Sequence, residues 1–237
     1  MDAAVIAAGR GERLHQAGWT LPKPLVPVAG RPLLGYVLSA LVHCGARRVG
    51  MVLNNRGRPV EQYCRRYWPH LEFAFVYRDT PSSMESLFAL EPLMHSDEFL
   101  LATADTIAAP ASMERFCRAA RQWPNCTVAL AVTAFVHDEK PLWVEFDPDG
   151  RVSDLGEPAG GSGWVTAGFY YMRRDVFRHV QAARENGLKA LREYLALLLA
   201  SGHELRAVAA GKCVDVDRPD DLAIASRFVT EENLRDA

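Results

Sequence analysis

The chain has 237 residues with nearly balanced charge, 27 Lys and Arg against 29 Asp and Glu for a formal −2, and is 49% hydrophobic and 24% charged. That is the composition of an ordinary globular protein, long enough to bury about 70% of the surface it exposes when unfolded, so no covalent staple is needed. The balance argues against bulk binding to nucleic acid or anionic membrane, no apolar run approaches the ~18 residues of a membrane span, and the first six residues lack the basic start of a signal peptide.

Short apolar runs alternate with helical periodicity through the first half. Residues 3–8 form a buried-strand run that ends at glycine. Pro32 stands where a helix would begin, followed by Leu33, Leu34, Val37, Leu38, Leu41 and Val42 at helical spacing, with Gly45 as the stop. Residues 49–53 read as a second strand. Pro59 opens a helix whose Val60, Tyr63, Cys64 and Tyr67 share a face, and 72–77 is a third strand. Ser82 and Glu85 have capping-box spacing ahead of Leu87, Phe88 and Leu90. Residues 99–103 form a fourth strand running into Ala104 and Asp105, and 113–123 is helical. Such alternation implies a mostly parallel sheet covered on both faces.

From Thr127 the texture changes. Residues 127–135, 142–146, 151–155 and 165–172 are closely spaced strand candidates, read as antiparallel additions to the same sheet. A helix over 188–200, a strand over 205–209 and a helix opened by Pro219, carrying Leu222, Ile224, Ala225 and Phe228, complete the chain. No linker-like stretch interrupts it, so one α/β domain over residues 1–237 is expected. The five cysteines are odd in number and contain no C-x-x-C pair, which fits small buried thiols in a reducing cytoplasm.

Chemistry concentrates first in the loop after strand one: Ala7, Ala8, Gly9, Arg10, Gly11, Glu12, Arg13. Small residues let a base or sugar lie against the backbone, and amides between glycines bind anionic oxygens. Arg13 offers a fork to phosphates and Lys23 a point charge. Between positions 9 and 31 stand Arg10, Arg13, Lys23 and Arg31 against Glu12 alone, a local excess suited to a polyphosphate. The Walker pattern is absent, and the dinucleotide pattern fails where Leu14 replaces its third glycine. Taken alone, the loop also reads as a glycine turn with solvated arginines.

The continuation Leu21-Pro22-Lys23-Pro24-Leu25-Val26-Pro27-Val28-Ala29-Gly30-Arg31-Pro32-Leu33 changes that balance. Across positions 7–33 the sequence closely resembles the nucleotidyltransferase family that includes the sugar-1-phosphate nucleotidylyltransferases (NDP-sugar pyrophosphorylases). Their signature is an apolar strand, A-A-G-x-G-x-R, then P-K-P-L-x-P-x-x-G-x-P-L. The resemblance implies a Rossmann-like, GT-A-like three-layer α/β domain that binds a nucleoside triphosphate with Mg²⁺.

Polyphosphate chemistry draws on carboxylates for its metal. Asp105 ends the fourth strand, where open α/β sheets place their ligands, and the family carries a metal-binding aspartate there. The segment Val214-Asp215-Val216-Asp217-Arg218-Pro219-Asp220-Asp221 resembles the family's late acidic motif, where one aspartate completes the metal site. Strand alternation would put Asp215 and Asp217 on one side, so either can serve. Asp220 and Asp221 fall in a first helical turn, where the helix dipole accounts for them.

Two departures narrow the resemblance. Where many relatives read P-x-G-T-A, this chain has Pro81-Ser82-Ser83-Met84, closer to the cytidylyltransferase branch acting on choline, polyol or inositol phosphates, with Ser83 placed to hydrogen-bond the base. Where sugar-specific members have E-K-P before N-A-G-x-Y, the chain has Gly156-Glu157-Pro158 and then Thr166-Ala167-Gly168-Phe169-Tyr170. The acceptor-binding lysine is missing, Lys140 reads as surface, and acceptor charge would fall to Lys23, Lys212 or the metal. The seven histidines show no paired spacing, and Trp143 reads as core.

These observations imply an Mg²⁺-dependent enzyme that moves a nucleotidyl group from an NTP to a phosphorylated small molecule. Nucleic acid and membrane are not expected partners, and a homo-oligomer is compatible with the sequence. Nucleotide would lie on Ala7, Ala8, Gly9, Gly11, Arg13, Lys23, Ser83 and Asp105. Arg13 and Lys23 would carry catalysis, and Asp105 with Asp215 or Asp217 would hold the ion. Two alternatives stay open: a nucleotide-binding regulatory module without turnover, and guanylyl transfer to a pterin as in the related molybdenum-cofactor enzymes.

Overall fold

The first half of the chain winds a parallel sheet from runs that are apolar on both faces. A computed structural model describes residues 1–137, 140–156 and 163–234. The opening elements are β1 (Asp2–Ala7), α1 (Glu12–Gln16), β2 (Pro27–Val28), β3 (Arg31–Pro32), α2 (Leu33–His43), β4 (Arg48–Leu53), α3 (Arg58–Tyr67) and β5 (Glu72–Tyr77). There follow α4 (Ser83–Leu90), β6 (Glu98–Thr103), β7 (Thr106–Ala108), α5 (Pro110–Ala120), β8 (Val128–Thr133), β9 (Trp143–Phe146) and β10 (Val152–Gly156). The chain closes with β11 (Val165–Arg173), α6 (Val180–Glu185), α7 (Leu191–Ala200), β12 (Leu205–Ala209), β13 (Cys213–Asp215) and α8 (Pro219–Glu231).

Nine strands make one sheet. β5, β4, β1 and β6 lie parallel in that order, and β11 joins β6 antiparallel. β8 and β9 run antiparallel to β11, β10 to β9, and β12 is parallel to β8. This is the mostly parallel mixed sheet with antiparallel additions that the sequence implies. β1 can sit at the centre because Ala3, Ala4 and Val5 offer no polar side chain to either face, and all three are fully buried. One core fills the face carrying α2, α3 and α5, and a second fills the face carrying α4 and α7.

A third, smaller core decides where the late acidic residues go. Val28, Leu33, Tyr36, Ile107, Val214, Val216, Ala225 and Phe228 pack together. They pin α8 and the antiparallel β7–β13 ribbon beside the end of β6. A three-residue strand carries no readable periodicity, so β7 has no counterpart in the sequence reading, whereas β13 is the strand end expected before Asp217 but stops two residues short of it.

Most predicted elements recur within a few residues. The helix expected over 113–123 begins earlier, because Pro110 occupies its first turn. Tyr67 departs from its expected apolar stripe: it is 60% exposed, its ring lying 5.2 Å from that of Tyr63 and beneath the Arg66 guanidinium. The capping box forms by half. Ser82 accepts the Glu85 N–H at 3.2 Å, but the Glu85 carboxylate turns to Arg184, at 2.8 and 2.9 Å. No helix of the described residues is long and apolar enough to cross a membrane.

Candidate active site

The C-terminal ends of β1 and β6 open into a cleft of about 670 Å³, the place where parallel sheets present loops and unpaired backbone groups to a ligand. Its floor is the glycine loop after β1 with Thr103, Ala104 and Asp105. One wall is Asp79–Ser83 with Ser86, and the other holds Lys23, Pro24 and Asp217. Ala7, Ala8, Gly9, Gly11, Arg13, Lys23, Ser83, Asp105 and Asp217 therefore meet in one cavity.

Asp215 does not line that cleft. It borders a smaller neighbouring cavity with Thr133, Phe135, His137, Thr166 and Cys213, and it accepts a hydrogen bond from the Thr106 hydroxyl. The expectation that Asp215 and Asp217 present to one side fails because the strand ends at Asp215. The next residue, Val216, is fully buried and donates its N–H to the Asp105 carbonyl at 3.0 Å, so the chain has left the alternating path before Asp217.

Gly11 shapes the loop. It caps α1 in the left-handed region, φ 63° and ψ 34°, and a Cβ there would lie 2.9 Å from the Lys23 Cβ. Gly11→Ala is expected to cost about 1–2 kcal/mol of stability through backbone strain, and also to push the Lys23 stem aside. Chemical denaturation together with KM for the triphosphate checks this: a loss of stability with unchanged KM would separate Gly11 from Lys23. Asn54, after β4, steadies the same loop by donating to the Ala8 and Gly9 carbonyls at 3.3 and 3.2 Å. The sequence reading passed over it, although a polar residue directly after a buried strand was a usable signal.

Lys23 is the hub of the site. Its side chain is 12% exposed, and its ammonium donates to Asp105 Oδ2 at 2.7 Å and to Asp217 Oδ1. Arg13 stands 3.5 Å from the other Asp217 oxygen. Burial alone would lower the lysine's pKa, but the two carboxylates reverse this and raise it above the ordinary value. Burial likewise works to raise the Asp105 carboxyl, and Lys23 with a Thr103 hydroxyl hold it below its usual range. The site thus sets one buried ammonium between two carboxyl groups.

This revises the expected local positive excess. Arg31 lies outside the cleft: its guanidinium bonds the Gly35 and Leu234 carbonyls and stacks on Tyr36, 4.9 Å from the ring centre. What remains in the lining is Arg10, Arg13 and Lys23 against Glu12, Asp79, Asp105 and Asp217. Carboxylates outnumber cations there. A triphosphate entering this cleft gains little charge balance from the protein alone.

The serine wall is ordered by its own bonds. Ser83 Oγ accepts the Leu191 N–H at 3.1 Å, and Ser86 and Thr80 share a hydroxyl contact of 2.6 Å. Ser83 keeps its O–H as a donor towards the cleft. On the far side of the sheet end, Gly168 adopts φ 68°, and a Cβ there would lie 2.5–2.6 Å from the Thr106 and Thr103 hydroxyls. Glycine is thus required above the Thr103–Thr106–Asp215 chain. Lys212, considered for acceptor charge, lies over Phe135 and Phe228, 4.6 and 5.3 Å from their ring centres. Lys140 is exposed, as expected. Gly156 ends β10, while Glu157 and Pro158 lie outside the described residues. Trp143 is half-buried in β9, and His43 bonds the Ser39 carbonyl at 2.9 Å. Sequence spacing gave no histidine pair, but tertiary packing makes one, His179 and His203, with ring nitrogens 2.7 Å apart. All five cysteines are buried and free.

Residues 3–203 match the family model described as MobA-like NTP transferase domain. The CMP-5'-(3-aminopropyl)phosphonate synthase of Streptomyces rubellomurinus is 29% identical over 88% of this chain and 33% of its own length. The UTP–glucose-1-phosphate uridylyltransferase AglF of Haloferax volcanii is 26% identical over 99% of both chains. The inositol-1-phosphate CTP transferase of T. maritima superimposes with a TM-score of 0.86 at 20% identity, covering 100% of this chain and 97% of that one. The chain spans between a third and about half of the length of the first curated relatives it matches.

Proposed function

The chain belongs to the MobA-like NTP transferase family, and from that membership we propose that it transfers a nucleoside monophosphate from an NTP to a phosphorylated small molecule, releasing pyrophosphate. The observation that carries the reading is the convergence of Asp105 and Asp217 on Lys23 in a cleft floored by a glycine loop. Residues 1–237 act in this reading as one nucleotidyltransferase domain. Its partners are the triphosphate and the acceptor, without nucleic acid or membrane, and the free buried thiols suit the cytoplasm.

The residues suit a divalent ion. Two carboxylates already converge on a cation, more carboxylates than cations line the cleft, and oxygen donors from two aspartates, phosphate and water are what Mg²⁺ prefers. Asp105 and Asp217 would hold it. When bound it supplies charge neutralisation to the phosphates. No third His, Cys, Asp or Glu ligand joins them among the described residues, which leaves coordination positions for the substrate and water.

The chain's own groups carry the remaining work. An acceptor phosphate oxygen attacks the α-phosphorus in line, the bond from that phosphorus to the bridging oxygen breaks, and pyrophosphate leaves with the electron pair. A phosphate dianion is already a competent nucleophile, so no general base or covalent enzyme intermediate is needed. Arg13 grips the departing pyrophosphate with its fork. Lys23 has three N–H bonds, two of them spent on the aspartates, leaving one for a phosphate oxygen. The glycine amides and Ala7–Ala8 backbone seat the sugar and base, and Ser83 donates to the base edge. Catalysis is therefore positioning and charge neutralisation.

The serine wall and the relative named as a CMP–phosphonate synthase both favour a cytidylyl donor and a small phosphate or phosphonate acceptor. Pyrophosphate release, measured over CTP, UTP, GTP, ATP and dTTP against choline phosphate, inositol-1-phosphate, an aminoalkyl phosphonate and glucose-1-phosphate, tests this. CTP-dependent release is the expected result. Turnover with GTP alone would favour the pterin branch, and calorimetric NTP binding without release in any combination would favour a regulatory module.

A further inference from the structure

We propose that Asp221 is a positioning residue for Asp217, its buried carboxylate fixing the backbone from which Asp217 reaches Lys23. The inference rests on the nucleotidyl-transfer reading and assigns Asp221 a task beyond the helix-dipole role that its sequence position suggests. Asp220, in the same first turn, is exposed and already meets the dipole. Asp221 is only 6% exposed. A buried carboxylate is costly unless it is hydrogen-bonded, and this one is, through Oδ2. Oδ2 accepts the Arg218 N–H at 2.7 Å and the Asp217 N–H at 2.8 Å. Oδ1 faces His137 Nδ1 at 3.5 Å.

Capping α8 needs only the bond to Arg218, the residue that precedes the helix. The bond to Asp217 does something else. The preceding residue, Val216, gives its own N–H to the Asp105 carbonyl at 3.0 Å. The two peptide units leading into Asp217 are therefore tied, one to Asp105 and one to Asp221. The backbone from which Asp217 reaches Lys23 is thus held beside Asp105 without relying on the lysine. His137, stacked on Phe135 at the border of the neighbouring small cavity, lies beside the other oxygen without a hydrogen bond to it.

Three variants test this. Asp221→Glu retains a capping carboxylate of the kind favoured at this helix position but displaces its oxygens by one methylene. It is expected to keep the wild-type thermal midpoint while kcat falls by ~10- to ~10²-fold, the usual range for residues that orient site ligands, with KM for the triphosphate little changed. Asp221→Asn retains an oxygen that accepts both N–H groups and is expected to restore kcat to near wild type. In an Asp217→Asn background, Asp221→Glu is expected to add less than ~3-fold, since residues acting through one another are not additive. A second readout is independent of turnover: Mn²⁺ binding in the presence of CTP, followed by electron paramagnetic resonance, weakens in Asp221→Glu and not in Asp221→Asn.

Wild-type kcat and Mn²⁺ binding in Asp221→Glu would overturn the proposal. So would an equal loss in Asp221→Asn, or an undiminished loss in the Asp217→Asn background. A wild-type protein that neither releases pyrophosphate nor binds Mn²⁺ with any triphosphate would overturn the nucleotidyl-transfer reading instead, a result distinguishable from all of these.

Discussion

Lys23→Met is expected to reduce pyrophosphate release at saturating substrates by at least ~10²-fold, the scale of losing one charge-stabilising group in a closed site, and to reverse the pH dependence of stability near the cleft. Met preserves the stem that packs on Gly11 and removes only the ammonium. In the wild type the Asp105 carboxyl is held below its ordinary value against the opposing push of burial. A depressed carboxylate contributes stability that is present above the unfolded pKa of about 3.9 and is lost as pH falls through the folded value.

Without the ammonium, burial and the facing Asp217 carboxylate both work to raise Asp105. The protonated form is then the more compatible with the fold, and stability is highest at low pH and lost as pH rises through the raised value. Thermal midpoints across pH 4.5 to 8 should therefore fall towards alkaline pH in Lys23→Met and not in the wild type. From sequence, loss of Lys23 would be expected to leave the fold untouched. Its 12% exposure between two carboxylates changes that expectation. Wild-type turnover, or an unaltered pH profile, would remove Lys23 from the centre of the site.

The parts of the site that were legible in sequence share one property: each is fixed by a local rule. Gly9–Arg13 and Asp105 follow buried strands directly, and strand ends of a parallel sheet point to the same edge. Two prolines flank Lys23, a pattern that reads as an extended segment, but the chain turns there into a short 3-10 helix over Lys23–Leu25, and it is this turn that presents Lys23 to the glycine loop. What was illegible depends on where a segment goes after its local rule ends. Arg31 is eight residues from Lys23 and carries the same charge, yet its guanidinium turns to Tyr36 and the Leu234 carbonyl, a partner 203 residues away. The local excess of four cations over Glu12 thus counts a residue, Arg31, that does not converge on the cleft with the others. His179 and His203 meet only because the 3-10 turn over Arg174–His179 and α7 return the chain to the start of β12, which no spacing encodes. Asp221 read as a dipole partner because its burial is set by the third core, built from four separated segments.

The choice between Asp215 and Asp217 turns on the same point and yields the most discriminating set of variants. Period-two alternation treats the two as equivalent, but it holds only while the strand continues, and β13 stops at Asp215. Asp215 then accepts from Thr106 beside the small cavity, while Asp217 turns into the cleft with Lys23 and Arg13. Asp105→Asn and Asp217→Asn are each expected to lose at least ~10²-fold in kcat, because each removes one of the two charges that would balance an ion and Lys23. Asp215→Asn is expected to lose less than ~10-fold, the range for a residue that supports its neighbours without touching the reacting atoms. Mn²⁺ titration with CTP present should rank the variants in the same order, with affinity weakened in the first two and retained in the third. If Asp215→Asn instead abolished Mn²⁺ binding while Asp217→Asn preserved it, the ion would belong to Asp105 and Asp215, and the Lys23–Asp217 contact would serve only to hold the cleft together.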